Sequence, residues 1–168
     1  MLSNSLKLAV AGTLAMAAVT AGAAKSPATT TLNVSANVAS NCLVTAQPLD
    51  FADYDGSAPV EGSADLSVRC SNGTLYTISL GKGDNGSIAK RQLKSGSNLL
   101  EYNLYTEAAR STIWGETLGV DTVGGKGKGM STNQANKHTV YGTIFNTVAN
   151  QDVPTGLYTD SVAVTVAY

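Results

Sequence analysis

Between Leu157 and Tyr168 the chain alternates with a period of two. Tyr158, Val162, Val164, Val166 and Tyr168 hold even positions, while Thr159, Ser161 and Thr165 hold odd ones. A helix of 3.6 residues per turn would scatter these side chains around its surface, whereas a strand places them on one face. The stretch is therefore expected to be a β-strand with one apolar face. Val153-Pro154-Thr155-Gly156 gives it a defined start, because Pro presets φ and Gly tolerates positive φ. As the last strand of the sequence it is expected to leave an edge that nothing downstream covers, and such an edge invites another strand.

The same period recurs upstream. From Thr29 to Val38, Leu32, Val34, Ala36 and Val38 alternate with Asn33, Ser35 and Asn37, and the phase continues through Cys42 and Val44. Two readings stay open: one long first strand, or two halves that serve different sheets. Leu66–Cys70 and Tyr76–Leu80 alternate on either side of Ser71-Asn72-Gly73, whose Asn-Gly predicts a tight hairpin. Leu99–Tyr105 and Thr139–Phe145 read as strands, and Ser111–Gly115, with the single Trp, as a short continuation. Gly81–Gly86 is expected to be a loop and Gly119–Gly129 a flexible connection. No segment of useful length has helical periodicity, charged residues are scarce at 14% and glycines number 17. These features predict an all-β chain, a β-sandwich of about seven short strands.

The first residues read as an address. Lys7 precedes an apolar run from Leu8 to Val19, followed by the small residues of Thr20-Ala21-Gly22-Ala23-Ala24. That run would cover about 18 Å as a helix, well short of a hydrocarbon core of about 30 Å. Residues 1–24 are therefore expected to be a signal peptide. No Cys lies near the cleavage site to accept a lipid. The formal net charge of −1 asks for neither nucleic acid nor an anionic membrane as partner. Cys42 and Cys70 are the two cysteines, and in an exported chain an even count predicts a disulfide. Closing that loop would remove roughly 3 to 4 kcal/mol of unfolded-chain entropy.

Residues that could carry chemistry do not assemble into a motif. Lys126 and Lys128 are each followed by Gly, where a phosphate-binding loop needs Ser or Thr. Asp50, Asp53, Asp55 and Gly56 resemble a calcium loop only in part, because Phe51 stands where the first carboxylate belongs. His138 lacks a Gly-x-Ser-x-Gly partner and is expected to face solvent at a strand start. Glu101 and Glu107 have a spacing that predicts no acid–base pair. The chain is expected not to be an enzyme and to need no cofactor or metal.

Taken together, several stretches resemble the spore coat protein U domain. They are the leader, Thr29–Val38, Cys42 and Cys70, Tyr102-Asn103-Leu104-Tyr105-Thr106 with Ala109-Arg110 and Trp114-Gly115, Val140-Tyr141-Gly142, and Val153-Pro154 through Tyr168. That family includes the Csu-type pilins of archaic chaperone-usher fimbriae. The resemblance implies an immunoglobulin-like β-sandwich lacking its last strand, an incomplete pilin fold completed by a donor strand from a neighbour. It implies residues 25–38 as an N-terminal donor extension and 39–168 as the sandwich domain. On that scheme Leu32, Val34, Ala36 and Val38 are the donor face. Tyr158, Val162, Val164, Val166 and Tyr168 lie on the strand that borders the groove and that a chaperone recognises. One stretch departs from the family's pattern: Ile144–Gln151 replaces a short Ile-Pro-x-Gly-Gln turn and lacks both Pro and Gly.

The function implied is a structural subunit of a surface pilus, assembled by the chaperone-usher pathway and supporting adhesion and biofilm formation. Its partners would be a periplasmic chaperone, an outer-membrane usher and neighbouring pilin subunits. It would pass through the periplasm to the fimbrium on the cell surface. Two alternatives stand beside this reading. One is a spore or cyst coat protein of the same family; the other is a monomeric secreted carbohydrate-binding module using Trp114 and Tyr102 as stacking platforms.

Overall fold

The structure, a computed structural model, describes residue 22 and residues 24–168. The expected signal peptide falls almost entirely outside the described residues. The described residues up to Ala36 and those of Asn37–Tyr168 fall into two units. Residues 24–41 hold no strand, so the alternating Thr29–Val38 segment is not the start of one long first strand.

Nine strands make up the second unit: β1 (Cys42–Ala46), β2 (Val60–Cys70), β3 (Leu75–Leu80), β4 (Gly86–Ser87), β5 (Lys90–Ser95), β6 (Asn98–Tyr105), β7 (Val123–Lys126), β8 (Asn136–Ile144) and β9 (Val164–Ala167). They form two antiparallel sheets, one ordered β1-β2-β8-β6-β5-β4 and the other β7-β3-β9. The even positions of β2, β3, β6 and β8 turn inward, and Leu66, Val68, Ile78, Leu80, Leu104 and Val140 are among the buried residues they contribute. Trp114 is fully buried; its indole N–H donates to the Ile78 carbonyl at 3.0 Å.

Four sequence expectations need correction. Asn72-Gly73 does not close a hairpin, because β2 and β3 belong to different sheets. Both strands carry their apolar residues on even positions, and the connection turns those faces toward each other across the core. The turn is tied to the end of β7 through Gly73 N–H to the Gly127 carbonyl at 2.9 Å. Second, the glycine-rich connection contains a strand: β7 pairs with β3, and at Gly125 a Cβ would run into the Tyr76 ring. Third, Ser111–Gly115 is not a strand: Ile113 makes only an isolated bridge to Tyr105 at the end of β6.

Fourth, the C-terminal stretch is not one strand. Thr159 bonds to Lys94 of β5 in the larger sheet, at 2.8 and 3.1 Å, whereas Val164–Ala167 pairs with Leu80–Thr77 of β3 in the smaller one. The chain crosses between the sheets at Asp160–Ala163. Its even-numbered Val162, Val164 and Val166 nonetheless pack against the core as the alternation predicts.

Candidate functional site: an open groove between two strand edges

β1 and β9 each end their sheet, and the two edges approach one another. Among the described residues neither edge has a strand on its outer side. Between the sheets at this place lies an open cavity of about 230 Å³. Ala46 flanks it from β1, Val162 and Val164 from the last segment, and Leu66, Leu104 and Val140 from the larger sheet. The opening is therefore apolar inside and rimmed by backbone N–H and C=O groups, which is what an added strand needs for both side-chain burial and main-chain bonds.

The bridge Cys42–Cys70 holds β1 in place. The two residues face each other in the β1–β2 register with Cα atoms 4.1 Å apart, and the half-cystine of Cys70 is fully buried. One pair further, Ser71 N–H donates to the Asn41 carbonyl at 2.9 Å and Asn41 N–H to the Ser71 hydroxyl at 3.0 Å.

Asp160 fixes the other border. Its carboxylate accepts from the Tyr102 hydroxyl at 2.6 Å and from Asp84 N–H at 2.8 Å. Burial first, and then the bond to Asp160, push the Tyr102 phenol well above its ordinary range, so it remains a donor.

A family model settles the kinship: the spore coat protein U domain matches residues 28–165. The chain belongs to the spore coat protein U domain family. Protein U of Myxococcus xanthus is 30% identical over 186 aligned positions, spanning 98% of this chain and 99% of that one. Among solved structures the chain is similar to one from the CsuC–CsuE chaperone–tip adhesion subunit pre-assembly complex of the archaic chaperone-usher Csu pili of Acinetobacter baumannii. Identity there is 25% and the TM-score 0.53, with 78% of this chain covered but 40% of that one. The immunoglobulin-like pilin fold expected from the sequence is thus borne out.

Several spore coat protein U motifs acquire physical reasons here. Val140-Tyr141-Gly142 needs its glycine because the Phe51 ring stands over it, and a Cβ at Gly142 would come within 2.8 Å of that ring. Phe51 in turn meets Tyr102 edge-on, with ring centres 6.1 Å apart. Trp114 and Tyr102, proposed above as sugar platforms, are 0% and 3% exposed, which removes both from any stacking surface.

Four of the remaining sequence candidates, Asp55, Glu101, Glu107 and His138, have structural partners. Asp55 accepts from the N–H and hydroxyl of Ser57, which holds its carboxyl below the usual range. Glu101 pairs with Lys90, and Glu107 accepts from Ser111 and Thr112 N–H at 2.8 and 2.7 Å. His138 does not face solvent at a strand start. It lies within β8, half-buried, 2.9 Å from the Tyr76 hydroxyl, and burial lowers its pKa. Among the described residues no group of three or more His, Cys, Asp or Glu is placed to hold a metal ion.

Leu32, Val34, Ala36 and Val38 are exposed, as is Tyr168, while Tyr158, Val162, Val164 and Val166 are half-buried. Sequence reasoning missed Arg91, which is fully buried. Its guanidinium donates to the carbonyls of Gly81 (2.9 Å), Leu80 (3.0 Å) and Trp114 (2.7 Å) and to Asn103 Oδ1 (2.6 Å), so it joins the two sheets near the end of the crossing, where Gly81 bonds to Ala163. A charged residue in a strand of low apolarity gives no pattern that would reveal this.

Proposed function

We propose that this chain is a structural subunit of a surface pilus, assembled by the chaperone-usher pathway through donor-strand complementation. The observation that carries the reading is the open apolar groove between the free edges of β1 and β9, in a chain that also holds an alternating segment at Thr29–Val38. Residues 25–38 would be the donor extension and 39–168 the accepting domain. Leu32, Val34, Ala36 and Val38 of one copy would enter the groove of the next, beside Val162, Val164 and Val166. Four side chains of this size would contribute on the order of 5 to 10 kcal/mol before ordering costs. Each subunit gives one strand and accepts one, so the contact is heterologous and need not close, and a filament results.

Before assembly a periplasmic chaperone would cover the same edge, and an outer-membrane usher would exchange it for the donor strand. Residues 1–24 would direct export, with the periplasm a stage on the way to the fimbrium. Adhesion and biofilm formation would follow from the fibre. Electron microscopy of cells with and without the protein tests this. Fibres that vanish with the gene support the pilus, and unchanged surfaces oppose it.

A second reading has its own support, the near full-length likeness to Protein U of Myxococcus xanthus within a family described by spore coats. On that reading the same strand exchange would build a coat around a spore or cyst. Recovery of the protein from such coats, without fibres on vegetative cells, would favour it.

A further inference from the structure

An alternating donor strand selects some registers by itself and not others. Side chains repeat with period two, so a slip of one residue turns the apolar face outward, whereas a slip of two keeps it facing in. The apolar lining cannot tell a strand from the same strand moved by two residues. Something else has to stop it.

The lining holds one charged side chain, Asp160. It stands where the chain has left the larger sheet after Thr159 and has not yet joined the smaller one at Ala163, whose carbonyl accepts from Gly81 N–H at 2.9 Å. Both carboxylate oxygens are engaged, one by Tyr102 and one by Asp84 N–H. Asp160 also lines a second, wider cleft of about 680 Å³, bounded by the loop Pro48–Gly56 and the segment Val153–Thr159. With Leu49, Phe51 and Leu93 it stands at the boundary between the groove and that cleft, and it is the one charged side chain of the four.

We infer that Asp160, held by Tyr102 and the Asp84 amide, is the positioning residue that closes one end of the groove and sets the register at which the donor strand of a second copy stops. This rests on the strand-accepting reading above. A strand overrunning by two residues would press its leading side chains against an engaged carboxylate or break the bonds that hold it, and either outcome is unfavourable in a half-buried place. A strand falling short would leave part of the apolar cavity empty. The wall penalises the first error and the cavity the second.

Cross-linking reads the register directly. The mature chain carrying Thr165→Cys, on the exposed side of β9, is refolded with its disulfide intact in excess synthetic peptide of residues 29–38. Three peptides are used, bearing Asn33→Cys, Ser35→Cys or Asn37→Cys. Disulfides form only between Cα atoms closer than about 7 Å, so neighbouring odd positions are distinguished. With the wall intact, one peptide is expected to cross-link about tenfold more than the next. In Asp160→Asn and Tyr102→Phe backgrounds the preference is expected to fall to within about threefold, as slipped registers become populated. A residue that merely stabilises the fold would lower all three yields together and leave the preference unchanged, and that result in both variants overturns the inference. If none of the three peptides cross-links to the chain with its wall intact, the strand-accepting reading itself fails.

Discussion

The side chain of Asn150 takes the place of a strand residue beside Glu101. Its Oδ1 accepts from Glu101 N–H at 2.8 Å and its Nδ2 donates to the Glu101 carbonyl at 2.9 Å, with a further bond to the Phe145 carbonyl at 2.7 Å. β8 stops pairing with β6 at Ile144–Tyr102, so Asn150 continues the ladder one step beyond the strand. A four-residue helix, α1 (Val148–Gln151), capped by Thr147, delivers it there, and Asn150 is 1% exposed. The stretch that departs from the family's short turn is thus a fastened plug.

Asn150→Ala leaves the Glu101 N–H without a partner on that side and its carbonyl with only the long bond from Phe145 N–H, at 3.4 Å. A loss of about 1 to 3 kcal/mol is expected. Urea unfolding of the disulfide-intact chain measures it, with the midpoint falling and the slope unchanged.

The Cys42–Cys70 bridge ties the edge strand β1 to β2 at the groove. Replacing both cysteines by serine is expected to lower stability by about 3 kcal/mol, from loop-closure entropy. Amide exchange should then rise first across Cys42–Ala46, because β1 has a single neighbouring strand. Uniform loosening of both sheets would show that the bridge does not act locally.

Much of this architecture is legible in residues that obey one rule at a time. Val162, Val164 and Val166 face the core as their alternation says, and Cys42 and Cys70 pair as their count says. What escaped the sequence depends on groups that meet only after folding. Arg91 is satisfied by carbonyls from Leu80, Gly81 and Trp114, and nothing local to Arg91 announces them. Gly124-Gly125 reads as a loop because glycine has low strand propensity, yet the Tyr76 ring requires its absent side chain. The alternation from Tyr158 to Tyr168 conceals a change of sheet, since both sheets present the same apolar period to one core. Asp160 marks that change, and a single acid among valines does not say which sheet it leaves.

Glu107 gives a pH dependence with a definite sign. Bonds from Ser111 first, and from Thr106, hold its carboxyl down to about 2. A group depressed on folding stabilises above its unfolded pKa, about 4.3, and loses that contribution as pH falls toward the folded value. Stability is therefore expected to drop between about pH 5 and pH 2 in the native chain. Glu107→Gln should show less of that drop, and direct titration by NMR should place the native carboxyl near 2. A carboxyl titrating in the ordinary range would contradict the bonding at this turn.

The central claim is that residues 25–38 complete a neighbour and not their own domain. It is tested most directly by a chain that begins at Ala39, exported under a foreign signal peptide together with the chaperone. That chain is expected to fold, to bind the chaperone and to accept a strand, yet to give none of the heat-labile, SDS-resistant ladders that the full-length protein forms. If it polymerises as well as the full-length protein, or cannot fold even with chaperone present, the segment is part of its own domain and the donor assignment is wrong.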